Sequence, residues 1–265
     1  MSLRTQPLGP DAWLVTGEAY ASNATLFLQG DEALMVDALG SREDAQALRA
    51  WVSDTLRARV RQVVCTHGFS DHLAALQGFP EASVLAHARF EETFQAERFR
   101  SSEEAGFYRA PDHVLEAPLR MRWGRHDIEV FPNPGHTAST LNLDVPELDV
   151  LLSADIAVGN MAYIAYGEPS DVDAALARAE ARGRTRVIQG HGGVSPASTL
   201  STARHYLRAL EAAVREARGA PERILAIELQ VCLPAGMPGT DTEAFFHRRN
   251  LDEVLARGLW SGPSP

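Results

Sequence analysis

Within the stretch Val63–Leu76, VVCTHGFSDHLAAL, three residues with metal-binding side chains, His67, Asp71 and His72, fall inside six positions. An imidazole offers a neutral nitrogen lone pair and a carboxylate offers charged oxygens, a donor set suited to zinc and other borderline divalent ions. Phe69 stands where a further donor would be natural. Three more segments repeat one design, an apolar run that stops at a turn carrying a ligand-type residue. They are His136 in FPNPGHTAST, Asp155 in LLSADIA and His191 in VIQGHGG. Strand-end turns on one edge of a sheet converge in space, and rigid strands fix such donors. Each residue alone has a plain structural role open to it: Asp71 as a helix cap, His136 as a turn residue, Asp155 as a partner of backbone amides. The four segments together point to a metal site.

The elements that would position these residues can be read from local pattern. The runs AWLVTG, NATLFLQG and EALMVDALG predict strands, with Gly30-Asp31 as a hairpin turn. SREDAQALRAWVSDTLRA predicts a helix, with a Ser cap, acidic residues in its first turn and apolar residues at helical spacing. VRQVVCT is too apolar to have a wet face, as expected of a strand between two covering layers. From it the chain is expected to run straight into a helix through the His67–His72 turn. SVLAHA predicts a further strand. RFEETFQAERFRSSEEAGFYRAPDH, polar and spotted with aromatics, predicts helical pieces forming a flap or lid. DIEVFPNPG, STLNLDV, VLLSADIAV and TRVIQGHGG read as strands. SDVDAALARAEARGR reads as a capped helix, and TLSTARHYLRALEAAVREARG and DTEAFFHRRNLDEVLARGLW as helices. This order predicts an α/β sandwich with helices outside, one domain over residues 1–265 with residues 195–265 as a helical extension packed on it.

Bulk properties narrow the partners. A formal net charge of −10 argues against nucleic acid, because phosphate binding needs a basic surface. No segment reaches the roughly 18 apolar residues of a membrane span, so no membrane partner is expected. Two cysteines, Cys65 and Cys232, are too few for a disulfide framework, and Cys65 in RQVVCTH predicts a reduced, buried thiol. The expectation is a cytoplasmic protein whose partner is a small-molecule substrate.

The four ordered motifs resemble those of the metallo-β-lactamase-fold superfamily, glyoxalase II-like branches included, whose leading motif is H-x-H-x-D-H. Here it stands as His67-Gly68-Phe69-Ser70-Asp71-His72, followed by PGHT at His136, SAD at Asp155 and QGHG at His191. The resemblance implies an αββα sandwich with the metal site at one edge of the sheets. It implies one metal position on His67 and His136, interrupted by Phe69, and a second on Asp71, His72 and His191, with Asp155 bridging. The implied cofactor is zinc, one ion per chain at the complete second position, with two ions next in order; iron and manganese use similar ligands. The implied activity is hydrolysis of a small ester, thioester, lactone or amide by a metal-activated water. Asp71, His67 and His136 are the expected catalytic residues. The alternative is a non-catalytic metal- or ligand-binding protein with a degenerate site. Phe69, Tyr163, Tyr166 and His247 are candidates to line a substrate pocket, with His205 and Arg248-Arg249 as further helix residues within possible reach.

Overall fold

The computed structural model describes residues 3–260. Seven strands form the first sheet in chain order: β1 (Arg4–Gly9), β2 (Ala12–Thr16), β3 (Asn23–Gln29), β4 (Glu32–Val36), β5 (Arg59–Val64), β6 (Ser83–His87) and β7 (His113–Leu115). The first four run antiparallel, and β4 to β7 are parallel. The second sheet has the order β13-β12-β11-β10-β9-β8. Its strands are β8 (Leu119–Trp123), β9 (His126–Pro132), β10 (Leu141–Val145), β11 (Val150–Ala154), β12 (Arg186–Gln189) and β13 (Val194–Pro196). Only β11 and β12 pair in parallel.

Successive side chains of a strand point to opposite faces, so a strand buried on both faces sends neighbours into different cores. Leu14, Phe27, Leu34 and Val64 meet Leu152 and Ile188 in the core between the sheets. Their chain neighbours Val15, Leu26, Met35 and Val63 face outward beneath α1 (Arg42–Ala50) and α2 (Phe90–Ala96), with Leu48, Phe90 and Phe94. On the second sheet Leu151 and Val187 face outward instead. They pack with α3 (Pro169–Glu180), α4 (Ser198–Ala217) and the last helices through Leu176, Tyr206, Leu251 and Val254. The result is four layers, helix, sheet, sheet, helix, the αββα arrangement implied by the motifs. α1 has its Ser41 cap, whose side chain accepts from the Asp44 amide. Cys65 and Cys232 are buried and unpaired, and burial raises both thiols, Cys232 to about 12. No helix among the described residues is long and apolar enough to cross a membrane.

Two local expectations are corrected and a third holds. The His67–His72 turn does not lead into an α-helix; it continues as two short 3-10 turns, Ser70–His72 and Leu76–Gly78. The amides of Ala74 and Ala75 are taken by the carbonyls of Leu39 and Ala38, at 3.1 and 2.8 Å, and so cannot close helical bonds. Helix α3 starts a residue before Ser170, on Pro169, and has no side-chain cap. The lid segment is helical in pieces, as expected, with α2 and a 3-10 turn at Glu104–Phe107.

The chain ends in two short helices, α5 (Pro221–Leu225) and α6 (Leu229–Cys232), and in α7 (Asp241–Arg257), opened by a capping box between Thr240 and Glu243. Asn250 on α7 is fully buried. Its Oδ1 accepts from the Ile164 amide at 3.0 Å, and its Nδ2 donates to the Ala162 carbonyl at 2.8 Å and to the Tyr206 hydroxyl at 3.0 Å. This one side chain ties the loop bearing Tyr163 and Tyr166 to the C-terminal helices. Asn250→Ala leaves buried backbone groups without partners and is expected to destabilise the protein by about 3 kcal/mol, read as a fall in the urea midpoint.

Candidate metal centre

Three donors come from each sheet. His67 follows β5, and Asp71 and His72 follow in the turns after it; His136 lies between β9 and β10, Asp155 follows β11 and His191 follows β12. Backbone bonds join the two sheets at this edge: Asn23 N to Gly190 O at 2.8 Å, and Leu141 N to Thr66 O at 2.7 Å. The donors therefore sit on the seam of the sandwich. Asp71, His72, Asp155 and His191 offer ligand atoms all within 4.8 Å of one another, and His67, His136 and Asp155 form a second such set. Phe69 lies edge-on to both imidazoles of that second set, with ring centroids 5.1 Å from His67 and 5.3 Å from His136.

The hydrogen bonds around the imidazoles assign their tautomers. The Thr66 hydroxyl donates to Asp37 at 2.8 Å, so it accepts from Nδ1–H of His67 at 3.0 Å. Nε2 of His67 is left as a buried lone pair without a partner. Nδ1 of His191 donates to the carbonyl of Tyr20 at 2.9 Å, which leaves its Nε2 facing Asp155 Oδ2 at 3.0 Å. A neutral His191 would bring two acceptors together there, so that contact calls for a proton or a cation. Both ring nitrogens of His72 and of His136, and Oδ1 of Asp155, are also buried without hydrogen-bond partners. His72 Nε2 stands 3.4 Å from Asp155 and 3.7 Å from Asp71, too long for good hydrogen bonds. So many orphaned donor atoms aimed at one space fit a divalent ion.

The electrostatics divide the same way. Burial lowers His67 well below the ordinary histidine range, with His72 adding to it, and burial likewise lowers His136, so both stay neutral. Burial opposes the charged form of His72 and His191 too, but Asp71 and Asp155 outweigh it and hold both above the ordinary value. Burial would raise Asp155, and His191 and His72 overcome it and hold this carboxyl well below the ordinary range. The backbone is strained where it aims the donors: Asp37, Leu39 and Ala154 all have left-handed φ, at 58°, 61° and 50°.

A cavity of about 200 Å³ opens beside the donors. Phe69, Tyr163 and Tyr166 line it, and so do Glu97 and Phe99 of the lid. His247 does not. Its Nε2 donates to the Ile227 carbonyl at 2.9 Å and its Nδ1 accepts from Tyr206 at 2.8 Å, so both nitrogens are spent on packing α7. His205 points into solvent, and Arg248 lies outside the cavity near Asp252, whereas Arg249 lines the wall. A larger groove of about 550 Å³ lies on the second sheet, remote from these donors, its arginines paired with Asp127, Glu129 and Asp144. The pattern reading passed over Asp37, although it ends an apolar strand in the same design as the others. It also passed over Phe245 and Phe246 of α7, because nothing local says which pocket a helix will cover.

Known proteins supply the wider setting. Residues 17–215 match the family model described as the metallo-beta-lactamase superfamily. A metallo-beta-lactamase from Pontibacter korlensis superposes with a TM-score of 0.66 at 19% identity, over 78% of this chain and 99% of that one. A metallo-beta-lactamase from Hirschia baltica gives 0.62 at 18% identity, over 77% and 96%. Among curated proteins, the metallo-beta-lactamase domain-containing protein 1 of Xenopus laevis is 30% identical over 127 residues, 48% of this chain and 49% of that protein. The chain thus spans about half the length of that relative. The superpositions match the four-layer architecture, and the family match runs from the turn after β2 to the last turns of α4, enclosing every donor of the seam. The chain belongs to the metallo-β-lactamase superfamily.

Proposed function

We propose that the protein is a metal-dependent hydrolase of a small ester, thioester, lactone or amide, with one zinc ion held by Asp71, His72, Asp155 and His191. The observation that carries this reading is the set of four buried or half-buried donors within 4.8 Å, two of them carboxylates. Two carboxylates offset the charge of a divalent ion taken out of water; His67 and His136 are neutral and share only Asp155. Phe69 adds an apolar edge beside that second pair, where a third imidazole would otherwise compete for metal. A bound divalent cation supplies Lewis acidity at the carbonyl and eases deprotonation of water.

The chain's own groups do the rest. Hydrolysis joins a water oxygen to the acyl carbon, breaks the bond from that carbon to its leaving group, and moves one proton from the water to the leaving atom. His67, whose Nδ1–H is committed to Thr66, presents a neutral Nε2 lone pair to take that proton, and His136 beside it is a second neutral carrier. Asp37 and Thr66 keep His67 in the tautomer that this requires. Tyr163 and Phe69 keep bulk water from the acyl group.

Gly190 guards the geometry. A Cβ on this residue would lie 1.8 Å from Asp155 Oδ1 and 2.7 Å from His72, so a methyl group there displaces two proposed ligands. Protein purified without chelator is expected to carry about one zinc per chain by elemental analysis, and Asp71→Ala to retain less than about one tenth of that. Metal-loaded wild type should turn over at least one member of an ester, thioester and lactone panel, with Asp71→Ala slower by about 100-fold or more. A protein that binds zinc yet hydrolyses nothing in the panel would instead be the non-catalytic binding protein. Phe69→His supplies a third imidazole beside His67 and His136 and should raise the stoichiometry towards two; an unchanged value would refute the single-ion assignment to Phe69. Gly190→Ala should lose most of its zinc while keeping its far-ultraviolet circular dichroism.

A further inference from the structure

Helix α7 lies outside the residues that match the family, 17–215, yet it closes one wall of the cavity with Phe245, Phe246 and Arg249. Phe246 packs on Tyr163 at 4.9 Å between ring centroids, so this wall is continuous with the loop that follows Asp155. The Arg249 guanidinium sits over two phenyl rings, 4.1 Å from the centroid of Phe99 and 4.8 Å from that of Phe245. Both rings are more than half exposed, at 60% and 54%. Apolar surface left open at a cavity mouth, with a cation fixed between its rings, is the makings of a recognition site.

The cation has no carboxylate to satisfy it. Its neighbours one turn along the helix are Asp252 and Glu253, and both are engaged elsewhere: Asp252 with Arg248 at 3.6 Å and Glu253 with Arg98 at 2.5 Å. Among the described residues no acidic oxygen lies within 4 Å of the Arg249 guanidinium, in a chain whose net charge is −10. The acidic groups of the cavity gather elsewhere, round Tyr20. Its hydroxyl donates to Glu104 at 2.9 Å, while Glu97 is held by the amide and hydroxyl of Ser70 at 3.0 and 2.8 Å. The cavity is therefore polarised, acidic at the Tyr20 end and basic at the α7 end, with aromatic rings between.

We propose that Arg249 is the specificity residue of this cavity, binding a carboxylate on a substrate whose apolar body rests against Phe69, Tyr163 and Phe246. The substrate class is then an anionic acyl compound, with its carboxylate several bonds from the scissile carbonyl. A guanidinium already held against two rings loses little freedom on binding, and it matches a carboxylate in two parallel hydrogen bonds. The kinetic part of this inference rests on the hydrolase reading; the binding part does not.

Two measurements separate them. By calorimetry on the protein as purified, phenylbutyrate is expected to bind about 10-fold or more tighter than phenylbutanol, and Arg249→Gln to abolish that preference while leaving the alcohol's affinity unchanged. A preference that survives Arg249→Gln would place the carboxylate on the metal or elsewhere and overturn the proposal. So would equal binding of the two by the wild type, or binding of neither. Kinetically, with mono-nitrophenyl glutarate and nitrophenyl pentanoate as a matched pair, Arg249→Gln should raise KM for the glutarate about 10- to 100-fold with kcat little changed, and leave the pentanoate alone. Arg249→Lys should recover part of the loss. Failure to turn over either ester, with the phenylbutyrate preference intact and dependent on Arg249, would count against the hydrolase reading and leave the anion site standing. Thermal midpoints of the two variants within about 3 °C of wild type show that α7 remains folded.

Discussion

Asp155 is the interaction on which the site turns. It is a carboxylate 4% exposed at the end of β11, and its two oxygens face different groups: Oδ2 meets His191 and His72, while Oδ1 has no hydrogen-bond partner. Burying a carboxylate alone costs several kcal/mol, so the fold must bring positive charge or a cation to it. The imidazoles answer that need from both sheets, His72 from the first and His191 from the second. Neither sheet alone could do so. The cross-sheet bonds of Asn23 to Gly190 and of Leu141 to Thr66 hold the two strand edges close enough for the donors to converge.

Outside the donors lies a set of hydrogen bonds that decide which nitrogen faces inward. Asp37 accepts from the Thr66 amide and hydroxyl, at 2.7 and 2.8 Å, and Thr66 in turn orients His67. The Tyr20 carbonyl does the same for His191, from a turn whose residues Tyr20 and Ala21 are both held at left-handed φ. Left-handed backbone at non-glycine residues is unfavourable in isolation and persists only where surrounding bonds impose it. Here it recurs at Tyr20, Asp37, Leu39 and Ala154, all beside the donors. Strain and function occupy the same edge because the carbonyls and carboxylates that fix the imidazoles must leave their strands at angles an ordinary turn does not supply.

What could be read in the sequence follows from how much burial each segment has. The inner strands β2 to β5 and β9 to β12 put apolar residues on both faces, and their runs stand out in the chain. The four strands that pattern reading passed over, β1, β7, β8 and β13, are the four edges of the two sheets. Their burial is weak, with four exposed residues in the Arg4–Gly9 strand and two in the three-residue His113–Leu115 strand. An edge strand is held by backbone bonds to a single neighbour, and such bonds leave little trace in residue type. The donors were legible for the opposite reason: a histidine or aspartate ending an apolar run has few structural reasons to be there. Tertiary placement was not legible. His247 and Arg249 sit two residues apart on one helix, and only the rotation of that helix decides that one is spent on Tyr206 and Ile227 while the other faces the cavity.

That rotation is itself fixed by polar groups. Asn250 is held to the loop of Ile164 and Ala162, and Glu243 at the other end of α7 accepts from the Asn160 amide at 2.6 Å. Two anchors about two turns apart on one helix set its roll about its own axis, since residues at such spacing share a face. With the roll set, Phe246 must lie on Tyr163 and Arg249 must lie over Phe99 and Phe245. The loop bearing Asn160, Ala162 and Ile164 leaves β11 directly after Asp155, so the helix is referenced to the metal donors through one short stretch of chain. A helix outside the family-matched residues is in this way registered against the family's chemistry. A change in its apolar and charged residues can then alter what the cavity accepts without moving a single donor.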